Sequence, residues 1–109
     1  MILCANPSAQ FDSYQIEIEE AVLAVMRGNR YVLGEEVTSL EKEFADYIGT
    51  ASAVGVANGT DAIELALRAL DIGLGDEVIT VSHTAVATIA AIEATGASAV
   101  LVDVESEYY

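Results

Sequence analysis

Asn58-Gly59-Thr60-Asp61 is the stretch of this 109-residue chain best suited to chemistry. It comes after the apolar run 53–57 and opens a segment of helical spacing, Thr60 to Asp71. A strand that turns through a glycine and a hydroxyl into a helix start leaves unpaired backbone N–H groups at one point, a common way to hold a phosphate. Asn-Gly also favours two-residue hairpins, but a hairpin needs a second strand and the residues after Thr60 have period 3.6. A strand-to-helix turn holding no ligand remains the plain alternative. The helix opens with neither a Walker lysine pattern nor G-x-G-x-x-G, so the triphosphate and dinucleotide fingerprints are both missing.

A second segment, Ser82-His83-Thr84-Ala85-Val86-Ala87-Thr88, also comes after an apolar run and starts a helical pattern. In a parallel sheet ligands bind beyond the carboxyl ends of the strands, so the two segments are expected to face one crevice. His83 is the only histidine. It reads either as a ligand contact or as a partly exposed loop residue, with Ser82 as a helix N-cap.

Several other chemistries are excluded. One histidine and one cysteine cannot build a metal cluster, and Ser82 beside His83 in sequence does not give the geometry of a catalytic triad. The acidic residues fall on helix faces and turns, with no convincing carboxylate pair.

Periodicity defines the elements that must position these segments. Tyr14 to Arg27 reads as a helix with Ile18, Val22 and Val25 at helical spacing, ended by Gly28-Asn29. A second helix, about Glu36 to Tyr47, is expected to bury Leu40, Phe44 and Tyr47 and to turn Glu41, Lys42, Glu43 and Asp46 towards water. Beyond Gly49 the pattern alternates: apolar run 53–57, helix 60–71, run 78–81, helix 84–95, run 98–103. Runs hydrophobic along their whole length, alternating with helices, predict an α/β fold with a mostly parallel sheet covered on both faces. The helix after Thr60 carries Asp61, Glu64 and Arg68 as one narrow polar stripe, which predicts that it is nearly buried. The expected organisation is one domain or part of one over 1–109, a helical segment 1–50 followed by the start of an α/β sheet at 51–109.

Composition narrows the partners. Eighteen acidic residues against four basic ones give a formal charge of −14, which disfavours nucleic acid and anionic membrane surfaces. A hydrophobic fraction of 53% is more than a domain this short usually buries alone, so assembly or a larger whole is expected. The single Cys4 permits no internal disulfide and suits a reducing compartment. Met1-Ile2-Leu3-Cys4-Ala5 lacks the form of a signal peptide, and no apolar run approaches the roughly 20 residues that span a bilayer, so a soluble cytoplasmic protein is expected.

Taken in order, Gly28-Asn29-Arg30-Tyr31-Val32-Leu33-Gly34-Glu35-Glu36, Asn58 to Ala62, Gly75-Asp76-Glu77-Val78-Ile79, Ser82 to Thr88, and Gly96 to Val102-Asp103-Val104 resemble the DegT/DnrJ/StrS family of sugar aminotransferases. The resemblance runs from about Tyr14 to Val104, and five motifs in sequence make it specific. It implies a partial three-layer α/β large domain of the aspartate-aminotransferase type, fold type I, with two N-terminal helices. It also implies pyridoxal 5'-phosphate, a nucleotide-linked keto-sugar substrate, an amino donor such as glutamate, and a homodimeric parent. By the same resemblance Gly59, Thr60 and Asp61 match the phosphate-binding turn, and Ser82 to Thr88, with His83 and Thr84, the stretch beneath the pyridine ring. Tyr31 matches a substrate-side position. The family often places an aromatic residue after the threonine; Ala85 stands there, and the nearest ring is His83.

Pyridoxal chemistry requires a lysine amine and an acidic partner for the pyridine nitrogen. The only lysine is Lys42, well before the cradle, and the family's Schiff-base lysine and pyridine aspartate lie later in its chain. The expectation is therefore an N-terminal portion with no catalytic residue of its own and no transaminase activity alone. Two other classes stand beside it: a small acidic carrier or interaction protein, suggested by the length and charge, and a stand-alone nucleotide-binding α/β domain, which needs only the strand-turn-helix. The carrier reading lacks its Asp-Ser-Leu, since Asp12-Ser13 is followed by Tyr14.

Overall fold

The computed structural model describes residues 4–107. Met1-Ile2-Leu3 of the opening segment and Tyr108-Tyr109 lie outside them. The chain forms two compact units, residues 1–55 and 56–109.

The first unit is helical. Helix α1 runs Pro7–Arg27, seven residues earlier than periodicity suggests. Its start is set by local chemistry: the Asn6 side chain accepts from the Ala9 N–H at 3.3 Å, and Pro7 occupies the first turn, where a missing N–H costs nothing. Tyr14, the expected start, is instead a kink inside the helix, with non-helical φ −124° and ψ 19°. Helix α2, Glu35–Ile48, ends on Gly49 in the left-handed region, and the Gly49 and Thr50 N–H groups both donate to the Ala45 carbonyl.

The buried side of α2 is not the expected one. Leu40, Phe44 and Tyr47 are exposed, whereas Val37 and Glu41 are half-buried and Ala45 is buried. The 49–55 chain returns along this stripe, and the small Ala45 side chain permits that approach. Glu41 consequently faces the chain rather than water, and its Oε1 accepts the Gly55 N–H at 2.7 Å.

The expected strand 53–57 takes part in no sheet ladder among the described residues. An apolar run becomes a strand only where a neighbour supplies backbone partners. Here the Gly55 N–H is satisfied by a side chain.

The second unit begins with helix α3, Gly59–Ala69, followed by strand β1, Glu77–Val81, helix α4, Val86–Thr95, and strand β2, Ser98–Val102. β1 and β2 pair in parallel, Glu77 opposite Ser98 through Val81 opposite Val102, so β1-α4-β2 is a βαβ unit. α4 packs against α3 and both strands. It is apolar nearly all round, as a helix enclosed on several sides must be. Its Ala91 and Ile92, with Ala97 in the following turn, form the buried core.

Two burial expectations are corrected. No residue of α3 is buried, and Leu65 is 52% exposed. α3 packs on α4, which covers one side of it, and an apolar composition cannot by itself supply cover for the other. The sheet is not covered on both faces either. Ile79 and Leu101 are 70% and 56% exposed, and the register places them on opposite faces. With two strands and one helix across them, much of the apolar surface stays open.

Candidate functional site

Three features fix the start of α3. Asn58 is extended, with φ −163° and ψ 176°; its side-chain Oδ1 accepts the Asp61 N–H at 2.9 Å; and its carbonyl accepts the Ala62 N–H at 3.1 Å. This is N-capping by a preferred residue. It also apportions the donors: the Asp61 N–H is taken, while the Gly59 and Thr60 N–H groups meet no acceptor among the described residues. Gly59 is open on the side where a Cβ would stand, with nothing within 4 Å. Two free amides, the half-buried Thr60 and the positive end of an 11-residue helix are what an anionic oxygen needs. Asp61 in the same first turn offers a carboxylate to the helix dipole and no free amide to a ligand.

Arg68 steadies α3 from its other end. Its Nε donates to Glu64 Oε1 at 2.8 Å, and its Nη2 donates to the Ala94 carbonyl at 2.6 Å near the end of α4. The Glu64–Arg68 pair, four residues apart on α3, thus extends to a second helix.

Ser82 to Thr84 leaves the carboxyl edge of the β1–β2 pair, and the Ser82 N–H donates to the Val102 carbonyl at 3.2 Å, prolonging the ladder by one bond. Ser82, His83 and Thr84 are all exposed. α4 begins at Val86 with Ala85 as an N-cap that makes no side-chain bond, so Ser82 is not the cap. Thr84 and Thr88 instead pair their hydroxyls, Oγ1 to Oγ1, at 3.0 Å. Among the described residues no hydrogen bond joins residues 58–61 to residues 82–84.

Tyr31 belongs to the first unit, 62% exposed, in the loop between α1 and α2. Its hydroxyl donates to the Met26 carbonyl at 2.9 Å and lies 3.3 Å from Asn29 Oδ1. Asn29 and Leu33 hold φ of 56° and 49°, so a short non-glycine loop has two left-handed residues. Glu41 is the residue that sequence reading placed wrongly, since a carboxylate on a helix gives no local signal of a backbone partner fourteen residues away.

A helix-rich chain with a small parallel sheet is a partial α/β chain, and the solved structures that share its arrangement are aminotransferases. The chain belongs to the DegT/DnrJ/EryC1/StrS aminotransferase family, whose pattern matches residues 12–109.

It is 50% identical over 96 residues to the dTDP-3-amino-3,6-dideoxy-alpha-D-galactopyranose transaminase of Aneurinibacillus thermoaerophilus, covering 88% of this chain and 26% of that one. A crystal structure of a DegT DnrJ EryC1 StrS aminotransferase from Brucella abortus superposes with a TM-score of 0.95 at 33% identity, over 100% of this chain and 29% of that one. Spr1654 from Streptococcus pneumoniae, solved in a PLP form, matches with a TM-score of 0.76 at 34% identity, over 79% of this chain and 22% of that one. The chain thus spans about a quarter of the length of the curated relatives it matches.

The described residues fit one end of the cofactor. Gly59, Thr60 and the start of α3 suit a phosphate, whereas the only lysine, Lys42, lies on α2 in the other unit. No helix of the described residues is long and apolar enough to cross a membrane.

Proposed function

We propose that this chain is the N-terminal portion of a pyridoxal 5'-phosphate-dependent aminotransferase that moves an amino group from an amino acid such as glutamate to a nucleotide-linked keto sugar. What carries the reading is the start of α3, where the Gly59 and Thr60 amides meet no acceptor among the described residues, in a turn that resembles the family's phosphate-binding motif. When bound, the cofactor supplies an electron sink for the amino transfer. The chain's own residues do the holding: the two amides and the Thr60 hydroxyl bind phosphate oxygens, and Asn58 keeps the turn in shape. Asp61 completes the turn without donating its amide.

His83 and Thr84, at the carboxyl edge of the strands, would contact the cofactor's ring. Tyr31 meets the sugar substrate through its hydroxyl oxygen, whose proton is engaged with the Met26 carbonyl and whose lone pairs remain to accept from a sugar hydroxyl. The parent is a cytoplasmic homodimer, built on a helical segment 1–50 and the α/β sheet that begins at 51. The chain alone transfers no amino group, because Lys42 is the only amine of its kind.

Equilibrium dialysis of the purified chain against pyridoxal 5'-phosphate tests this. Bound cofactor is expected to keep the absorbance of the free aldehyde, and Thr60→Val is expected to weaken binding. A chain that binds no pyridoxal phosphate, or that by itself aminates a keto-sugar nucleotide, would overturn the reading.

A further inference from the structure

Three of the four basic residues lie within residues 27–42, in the first unit. Two of them, Arg30 and Lys42, line one concavity of about 350 Å³ together with Gly34, Glu35, Thr38 and Ser39. On α2 the positions 35, 38, 39 and 42 fall at i, i+3, i+4 and i+7, so a single stripe of the helix forms one wall and the 30–34 loop brings Arg30 to it.

The chain carries eighteen carboxylates, yet the only ion pair among the described residues is Arg68 with Glu64. Among the described residues neither Arg30 nor Lys42 has a carboxylate within ion-pair distance, although Glu35 lines the same wall. Thr38 spends its hydroxyl only weakly, reaching the Gly34 carbonyl at 3.5 Å, and Ser39 adds a second hydroxyl. The loop is also held in shape: a Cβ on Gly34 would come within 2.9 Å of the Arg30 carbonyl oxygen, so the backbone beside Arg30 is closely packed.

Two cations with no ion-pair partner among the described residues, one of them a planar fork of donors, with two hydroxyls in a groove of this size suit a small polyanion. We propose that this groove is an anion site separate from the start of α3 and that it takes a diphosphate group. A net charge of −14 opposes anions at long range, so the binding must come from these local contacts.

The test is titration of the 109-residue chain with inorganic pyrophosphate at about 0.15 M salt, where distant charges are largely screened, with amide shifts as the readout. Shifts are expected at residues 30–42. Arg30→Ala and Lys42→Ala are each expected to weaken binding about tenfold, and Arg30→Lys less. Arg27→Ala, outside this concavity, should leave the affinity of this groove unchanged. Shifts confined to residues 58–61, no shifts at all, or an Arg30→Ala/Lys42→Ala double variant that binds as the parent does would overturn the proposal. Mapping on the unmodified chain decides the matter even if a variant fails to fold, and failure of pyridoxal phosphate to bind leaves this result standing on its own.

Discussion

Glu41 Oε1 lies 2.7 Å from the Gly55 backbone nitrogen and takes the place of a strand neighbour for a segment with no ladder partner among the described residues. A carboxylate accepting from a backbone N–H is worth more than a neutral bond, but Gly55 is exposed and water can replace part of it. Glu41→Ala is expected to destabilise the chain by about 1 kcal/mol in urea denaturation. Glu41→Gln keeps an acceptor oxygen and should lose less. Faster hydrogen exchange at the Gly55 amide in Glu41→Ala, and little change in Glu41→Gln, would place the effect at this bond.

Asn58 caps α3 through the Asp61 N–H. Asn58→Ala is expected to cost about 1 kcal/mol, and Asn58→Asp or Asn58→Ser a few tenths. The Asp61 amide, freed of its partner, should exchange faster in Asn58→Ala. An unchanged urea midpoint would remove the cap from the account of why this turn is rigid.

Ile92 is 1% exposed and is the largest fully buried side chain. In a core otherwise built of alanines it has few neighbours able to relax into a void. Ile92→Val is expected to cost about 1 kcal/mol and Ile92→Ala about 3 kcal/mol. The larger loss is comparable with the whole stability of a small unit, so near-complete unfolding of residues 56–109 in Ile92→Ala, read by circular dichroism, is the expected outcome.

Gly96 ends α4 at φ +89°, and a Cβ there would sit 3.4 Å from the Leu74 backbone nitrogen. Gly96→Ala adds a left-handed alanine in a tight place and is expected to cost about 1–2 kcal/mol. Gly49→Ala is the useful comparison: φ is +80° but nothing stands within 4 Å, so only the backbone penalty of about 1 kcal/mol should be seen. Equal losses at the two sites in thermal unfolding would contradict the contact with Leu74.

How much was legible differs by element. Helices α2 and α4 and strands β1 and β2 lie within two residues of their periodicity, because their ends carry local signals such as Gly49 and Gly96. The end of α3 is two residues early, since Asp71 already stands in the left-handed region at φ 58°. The early start of α1 was also written locally, in Asn6-Pro7, a cap followed by a proline suited to the first turn. At the candidate site the strand-to-helix turn and the helix start were readable from Asn58 to Asp61, whereas the capping by Asn58 came only with the structure. That the cap consumes the Asp61 amide and leaves Gly59 and Thr60 free was not readable, because donor bookkeeping depends on which oxygen points where.

By itself the sequence determined the order of the four helices and of β1 and β2, the parallel βαβ unit, the turn at Asn58 to Asp61 and the family, because periodicity, helix ends and ordered motifs are local properties of the chain. Tertiary structure alone decided which face of α2 is inward, whether 53–57 has a ladder partner, how open α3 and the sheet remain, and that Glu41 serves Gly55. Each of those depends on what comes alongside an element in space. An apolar stripe says that a face can be buried, and only the neighbouring chain says whether it is.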